Sequence, residues 1–254
     1  MNALMINGRK LAYERSGSGT PLVLLHGYPL DHSIWEPLIP RLEKETDLIL
    51  PDLPGFGSSQ PFEANYNMAD LAADVAGLLD ALHIQRAAIA GHSMGGYVAL
   101  AFLRAYPKRL LGLGLVSSQI LADAPERKAG RYIDAESILA HGVREVADGM
   151  SMKLTANPDL QGWIRGLILR QRPVGLAGAL RAMAERPDSS DQFSGLNIPL
   201  CLIHGTADEL IPVERARSLK AAVPAAHFTE IPAAGHMPML ETPRETAEAL
   251  RALL

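Results

Sequence analysis

The chain has 254 residues, of which 48% are hydrophobic and 20% charged, with a formal net charge of -4 and one cysteine. That balance suits one large folded unit, or a core carrying an insertion, and excludes a disordered chain. No basic run is present, which argues against nucleic acid as a partner, and no apolar stretch reaches the roughly 18 residues that span a bilayer.

The opening residues lack the basic-then-apolar layout of a secretion signal. Cys201 has no partner for an internal disulfide and lies in an apolar run. The expectation is a cytoplasmic protein with a buried, inert thiol.

Residues 4–6 and 11–14 flank Asn7-Gly8, a pair that tolerates the positive φ of a tight hairpin. The apolar run 22–25 predicts a strand covered on both faces, followed by the loop His26-Gly27-Tyr28-Pro29. A helix over 34–44, capped by Ser33, leads to a strand at 48–50 and a turn-rich loop over 51–59. In 68–82, Leu71, Val75, Leu78, Leu79 and Leu82 share one helical face, with Asp70, Asp74 and Asp80 off it and Asn67 as cap. Strands are expected at 86–90 and 111–116, with a helix to about residue 105 between them.

From 119 to 195 no buried strand is legible. Segments 131–140, 143–153, 159–171 and 174–185 read as helices divided by Gly, Pro and Asn. The strand pattern returns at 199–203 and 227–231, around a helix at 213–222. A C-terminal helix starting at Thr242 or Pro243 should bury Leu250 and Leu253. Alternating strands and helices predict an α/β fold with a mostly parallel sheet and helices on both faces. Its core would be 1–118 and 196–254, with 119–195 a helical cap inserted before the strand that leads to Asp208.

Gly91-His92-Ser93-Met94-Gly95 sets a serine between glycines at the junction of a strand and a helix. This is the pattern of a strained turn that projects a nucleophilic hydroxyl. A serine hydroxyl needs a general base, and His236, in a small-residue loop after the last strand, is the best placed. A buried carboxylate must hold that histidine's tautomer, and Asp208 also follows a strand. The oxyanion needs preorganised donors: the backbone N–H of Met94, and that of Tyr28 in the loop after an earlier strand, since Pro29 has none.

The remaining histidines have structural readings. His26 and His204 belong to their loops, His92 points away from the site, and His83, His141 and His227 are surface or packing residues. His32 is open between pocket lining and packing. Asp52 is a rival acid read as turn-stabilising, while Glu209 and Glu241 should face solvent. Gly55 and Gly57 resemble a phosphate loop only in part, without its lysine. No histidine pair has metal-ligand spacing on one helix, so neither metal nor cofactor is expected.

Together, residues 26–29, 52–59 and 91–96 with Asp208 and Gly235-His236 resemble the α/β-hydrolase superfamily, whose triad runs Ser, Asp, His in chain order. The compact insertion resembles that of small bacterial carboxylesterases and enol-lactonases. The resemblance implies a serine hydrolase that cleaves carboxylic esters of small, largely apolar substrates, with short to medium acyl chains, through an acyl-enzyme. It implies a monomer or homodimer and no cofactor. Ser93 stands where haloalkane dehalogenases and epoxide hydrolases carry aspartate, which argues against both. A lactonase, a C–C bond hydrolase, a ligand receptor with slow turnover, and a hydroxynitrile lyase or perhydrolase remain open on the same residues. The insertion offers apolar surface, Met150, Trp163 and Met183 included, and lacks an obvious positive cluster. Arg165, Arg170, Arg172 and Arg181 read as solvated charges.

Overall fold

A computed structural model describes residues 1–254. Eight strands form one sheet in the order β1-β2-β4-β3-β5-β6-β7-β8. They are β1 Asn2–Ile6, β2 Arg9–Gly17, β3 Thr20–Leu25, β4 Thr46–Pro51, β5 Ala87–His92, β6 Leu110–Val116, β7 Leu200–Gly205 and β8 His227–Ile231. β1 and β2 form the antiparallel edge, and every pair from β4-β3 to β7-β8 is parallel. Asn7 and Gly8 take φ values of 48° and 81°, as the hairpin requires. From β3 the chain moves outward to β4, then returns to lay β5 on the other side. The loops after β3 and β5 therefore part at a topological switch point, where such sheets present a crevice.

Pleating splits each continuous apolar run between two cores. Val23, Leu25, Ile49 and Ile89 pack on one face with α2 (Met68–Ala81) and α3 (Met94–Ala105). Leu22, Leu24, Leu48 and Ile203 pack on the other with residues 30–42 and the C-terminal α10 (Pro243–Leu250). Leu250 and Leu253 are buried as expected. Cys201 is buried too, its thiol donating to the Ala249 carbonyl at 3.2 Å, and burial pushes its pKa up to about 12.

One local expectation is corrected. Residues 34–44 do not form one helix: a 3-10 segment, His32–Leu38, is capped by Asp31 rather than Ser33, and a short α1 (Ile39–Leu42) follows. Pro37 and Pro40 supply no N–H, which breaks an i to i-4 ladder there. Asp74 of α2, off the leucine face, is buried and accepts from Asn7 Nδ2 at 2.8 Å and Arg9 Nη1 at 3.0 Å. The hairpin arrives over that face, which helical periodicity alone does not reveal. Asn67 and Asp70 do close a reciprocal capping box on α2.

Between β6 and β7 the chain builds α4 (Pro125–His141), α5 (Arg144–Leu154), α6 (Pro158–Leu169) and α7 (Pro173–Ala184). Ala135, Ile138, Leu176 and Met183 of α4 and α7 join the core that holds α2 and α3, while Leu154, Ile164 and Leu167 join the other. The segment thus shares its apolar contacts with both sheet faces. The chain then forms α8 (Glu214–Ala222) and the short α9 (Pro238–Glu241). No helix is long and apolar enough to cross a membrane.

The segment 171–175 docks on the loop after β4. Gln171 accepts from the Gly57 N–H at 2.9 Å, and Arg172 Nη1 donates to the Ser59 carbonyl at 3.0 Å. Gly175 of α7 meets Gly55 backbone to backbone, so a Cβ on Gly175 would lie 2.7 Å from the Gly55 carbonyl carbon. Overpacking of this kind costs about 1–3 kcal/mol, so Gly175→Val is expected to lower the melting temperature by about 5 °C. Gly130→Ala, on a helix with open space around its Cβ, serves as the control. Equal melting temperatures for both variants in a calorimetric scan would show that the loop yields freely.

Candidate active site

Ser93 sits between β5 and α3 with φ 50° and ψ -113°. A left-handed φ is costly for a residue with a Cβ, and the surroundings impose it. A side chain at Gly91 would strike the Gly95 and Gly96 backbone, and one at Gly95 would come 2.7 Å from the His26 carbonyl oxygen. The turn is pinned on the other side by β6 and the loop after it: the Ser93 N–H donates to the Val116 carbonyl at 2.9 Å, and the Ser118 hydroxyl donates to the Ser93 carbonyl at 2.8 Å. Met94 opens α3, where the first amide N–H groups lack intrahelical acceptors and carry the positive end of the helix dipole.

His236 lies in the loop after β8, and its Nδ1 is 2.7 Å from Asp208 Oδ2. A carboxylate only accepts, so Nδ1 carries the proton and Nε2 is left as the basic nitrogen. Both residues are buried. Asp208 Oδ1 accepts from the N–H groups of Leu210 and Ile211 at 2.9 and 3.0 Å. Burial alone would raise the Asp208 pKa, but the His236 and His204 rings and the Ile211 amide outweigh it and hold the carboxyl well below its usual range. His204 is therefore more than a loop residue, because its Nε2 lies 3.2 Å from Asp208 Oδ2 and 2.7 Å from the Ile211 carbonyl oxygen. Two acceptors around one nitrogen require that it be protonated.

His92 turns away from Ser93 but toward the other histidine: its Nε2–H donates to the His236 carbonyl at 2.8 Å. Burial, then the nearby His236, lowers its pKa well below the ordinary value, so it acts as a neutral strut. His26 accepts the Leu53 N–H at Nε2 (2.9 Å), which leaves Nδ1 to donate to the Gly27 carbonyl. Glu241 departs from its solvent-facing reading: it accepts the Gly235 N–H at 2.7 Å and so holds the loop beside His236.

Asp52, the rival acid, is bound elsewhere. Its Oδ1 meets His32 Nδ1 at 2.6 Å and the His32 N–H at 3.0 Å, and its Oδ2 accepts from the Ser58 N–H at 2.8 Å. Asp31, His32 and Asp52 could offer ligand atoms within 4.8 Å of one another. Those atoms are engaged: Asp31 accepts from Ser33 and from Gln171 Nε2, so the cluster is a hydrogen-bonded joint between loops.

A cavity of about 570 Å³ opens onto Ser93 and His236 and is lined also by Tyr28, Tyr97 and Gln119. Leu121, Met150, Met183, Leu210 and Ile211 give it apolar walls. The segment 119–195, read as lacking an obvious positive cluster, contributes Arg127 and Arg131 to the lining, and α8 adds Arg215. No helical period links α4 to α8, so only the fold brings these residues together. The arginines weighed from sequence are engaged elsewhere, Arg165 with Asp148 and Arg181 with Glu136.

The His32–Asp52 pair makes stability depend on pH. Desolvation opposes the His32 charge, but the Asp52 hydrogen bond raises its pKa; Asp52 is lowered by His32 against its own desolvation. The raised histidine contributes fully below about pH 6.5 and fades as pH rises through its folded pKa. The lowered aspartate contributes fully above about pH 4 and fades as pH falls through its own. The coupling energy between His32→Gln and Asp52→Asn, from urea unfolding, is expected to peak between those limits and shrink by pH 9. A coupling that stays flat over that range would assign the pair no charge.

The model of the "Alpha/beta hydrolase family" matches residues 22–249. Over 98% of this chain and 68% of the relative, the chain is 32% identical to the dihydrolipoyllysine-residue acetyltransferase component of the acetoin cleaving system of Pseudomonas putida. A malate-bound thermophilic esterase from Thermogutta terrifontis superposes with a TM-score of 0.94 at 36% identity, covering 98% of this chain and 96% of that one. The enol-lactonase of Burkholderia xenovorans LB400 shares the fold, with a TM-score of 0.90 at 24% identity over 99% of each chain. With its sheet order, its serine turn and these likenesses together, the chain belongs to the alpha/beta hydrolase family.

Proposed function

We propose that the protein is a serine esterase that hydrolyses carboxylic esters of small substrates, with short to medium acyl chains, through an acyl-enzyme. The observation that carries this reading is the buried His236–Asp208 hydrogen bond at 2.7 Å, beside a cavity shared with a serine in a strained turn. The likeness to the Thermogutta terrifontis esterase supports it.

In this mechanism Ser93 Oγ attacks the ester carbonyl while His236 Nε2 takes its proton. Asp208, kept ionised by its four donors, stabilises the imidazolium. The oxyanion is held by the backbone N–H groups of Tyr28 and Met94. Collapse expels the alkoxide, which takes the proton from Nε2 and leaves the acyl group on Ser93. A water then gives its proton to Nε2 and attacks the acyl carbon; the acyl–Oγ bond breaks, Ser93 Oγ takes the proton back from Nε2, and the acid is released. Leu121, Met150 and Met183 supply apolar contact for an acyl chain, and residues 119–195 act as the cap that covers it.

Ser93→Ala is expected to lower kcat on an aryl butyrate by on the order of 10⁶, and Asp208→Asn by about 10⁴ with the fold unchanged. A fluorophosphonate should add its mass to Ser93 alone. Retained turnover in Ser93→Ala would remove the serine from the reaction. Faster turnover of lactones than of open-chain esters by the wild type would reassign the substrate class.

A further inference from the structure

The charges around the cavity are unevenly satisfied. Asp123 is its one carboxylate, and both of its oxygens are taken, Oδ2 by Arg131 and Oδ1 by Arg186 Nη2 at 2.8 Å. Arg131 and Arg186 are buried with it as a structural cluster. Arg127 and Arg215 line the same cavity, are exposed, and form neither an ion pair nor a side-chain hydrogen bond. That sets them apart from arginines such as Arg104, Arg165, Arg181 and Arg217, each paired to a carboxylate within 3 Å. The two come from separate elements, the first turns of α4 and of α8.

A chain of net charge -4 therefore places an uncompensated positive pair at a cavity that reaches Ser93 and His236. A concave, partly apolar wall focuses such a field and raises the local concentration of anions. Arginine is suited to carboxylates through its planar, two-pronged donors. The apolar side chains of Met150, Met183 and Ile211 share the cavity with these charges.

We propose that the preferred substrates carry a free carboxylate in addition to the ester, and that Arg127 and Arg215 seat that carboxylate. This rests on the ester hydrolysis proposed above. An apolar acyl or alkyl segment would lie against the methionines, with the reacting carbonyl at Ser93 and the anion at the arginines.

The test compares each anionic ester with a neutral ester of similar size: monomethyl glutarate with methyl pentanoate, and 4-acetoxybutanoate with butyl acetate. Hydrolysis is followed in a pH-stat. The first pair places the carboxylate on the acyl side, the second on the alcohol side. The ratio of kcat/KM, anionic over neutral, is expected to be at least about tenfold in one pair. It should fall by about three- to tenfold in Arg127→Gln and in Arg215→Gln, consistent with charge-assisted bonds in partly screened surroundings. It should also fall between 20 and 500 mM sodium chloride in the wild type. A general loss of folding would lower both esters and leave the ratio unmoved.

A ratio near one in both pairs, or a ratio untouched by both substitutions, overturns the carboxylate seat and leaves the esterase reading standing. If the wild type cleaves none of the four esters, the esterase reading fails instead. The seat is then decided by calorimetric titration of the Ser93→Ala protein with glutarate. Heat that vanishes in the Arg127→Gln, Arg215→Gln background upholds it, and no heat overturns it.

Discussion

Ser93 keeps an unfavourable backbone because β5 and α3 meet in a space that admits no other path. Its N–H is tied to Val116, its carbonyl to Ser118, and its flanks to glycines that touch backbone. The central strands, the first turn of α3 and the end of β6 all converge on that one turn. A residue held so has little freedom to relax, and its side chain is presented to the cavity without further ordering.

Four buried histidines each lie beside a glycine or the serine itself, and their roles diverge through their partners. His26 bridges two loops, His92 supports the His236 carbonyl, and His204 leans on Asp208. Only His236 combines a carboxylate at Nδ1 with a place on the cavity wall. Burial keeps His26 and His92 below their ordinary pKa, so these rings serve as neutral hydrogen-bond parts. The same low-dielectric surroundings make Asp208 costly to bury, and its donors more than offset that cost.

The helices between β6 and β7 tie into both cores, and the first turn of α4 lines the cavity that Ser93 also lines. The Asp123 cluster anchors that approach, with Arg131 and Arg186 closing around one carboxylate. Cavity chemistry is thus set by the insertion and by α8, while the central sheet sets the serine and the histidine.

The strand and helix order, the hairpin at Asn7-Gly8 and the positions of Ser93, Asp208 and His236 were legible because each rests on local pattern: apolar runs, turn residues and loops that follow strands. The α1 region was misread where prolines outweighed helical periodicity, and the burial of Asp74 has no local sign because a distant hairpin covers it. The contacts of Glu241 and His204, and the presence of Arg127 and Arg215 in one cavity lining, have no local signature. They join residues 6, 4 and 88 positions apart, or hang on which loop reaches a given acceptor. Alone, the sequence determined the architecture and singled out the candidate side chains, since both follow from short-range sterics and hydrophobic periodicity. Only the tertiary structure decided how the other histidines are engaged and what charge lines the cavity, because hydrogen-bond partners and electrostatic neighbours are properties of distance in space.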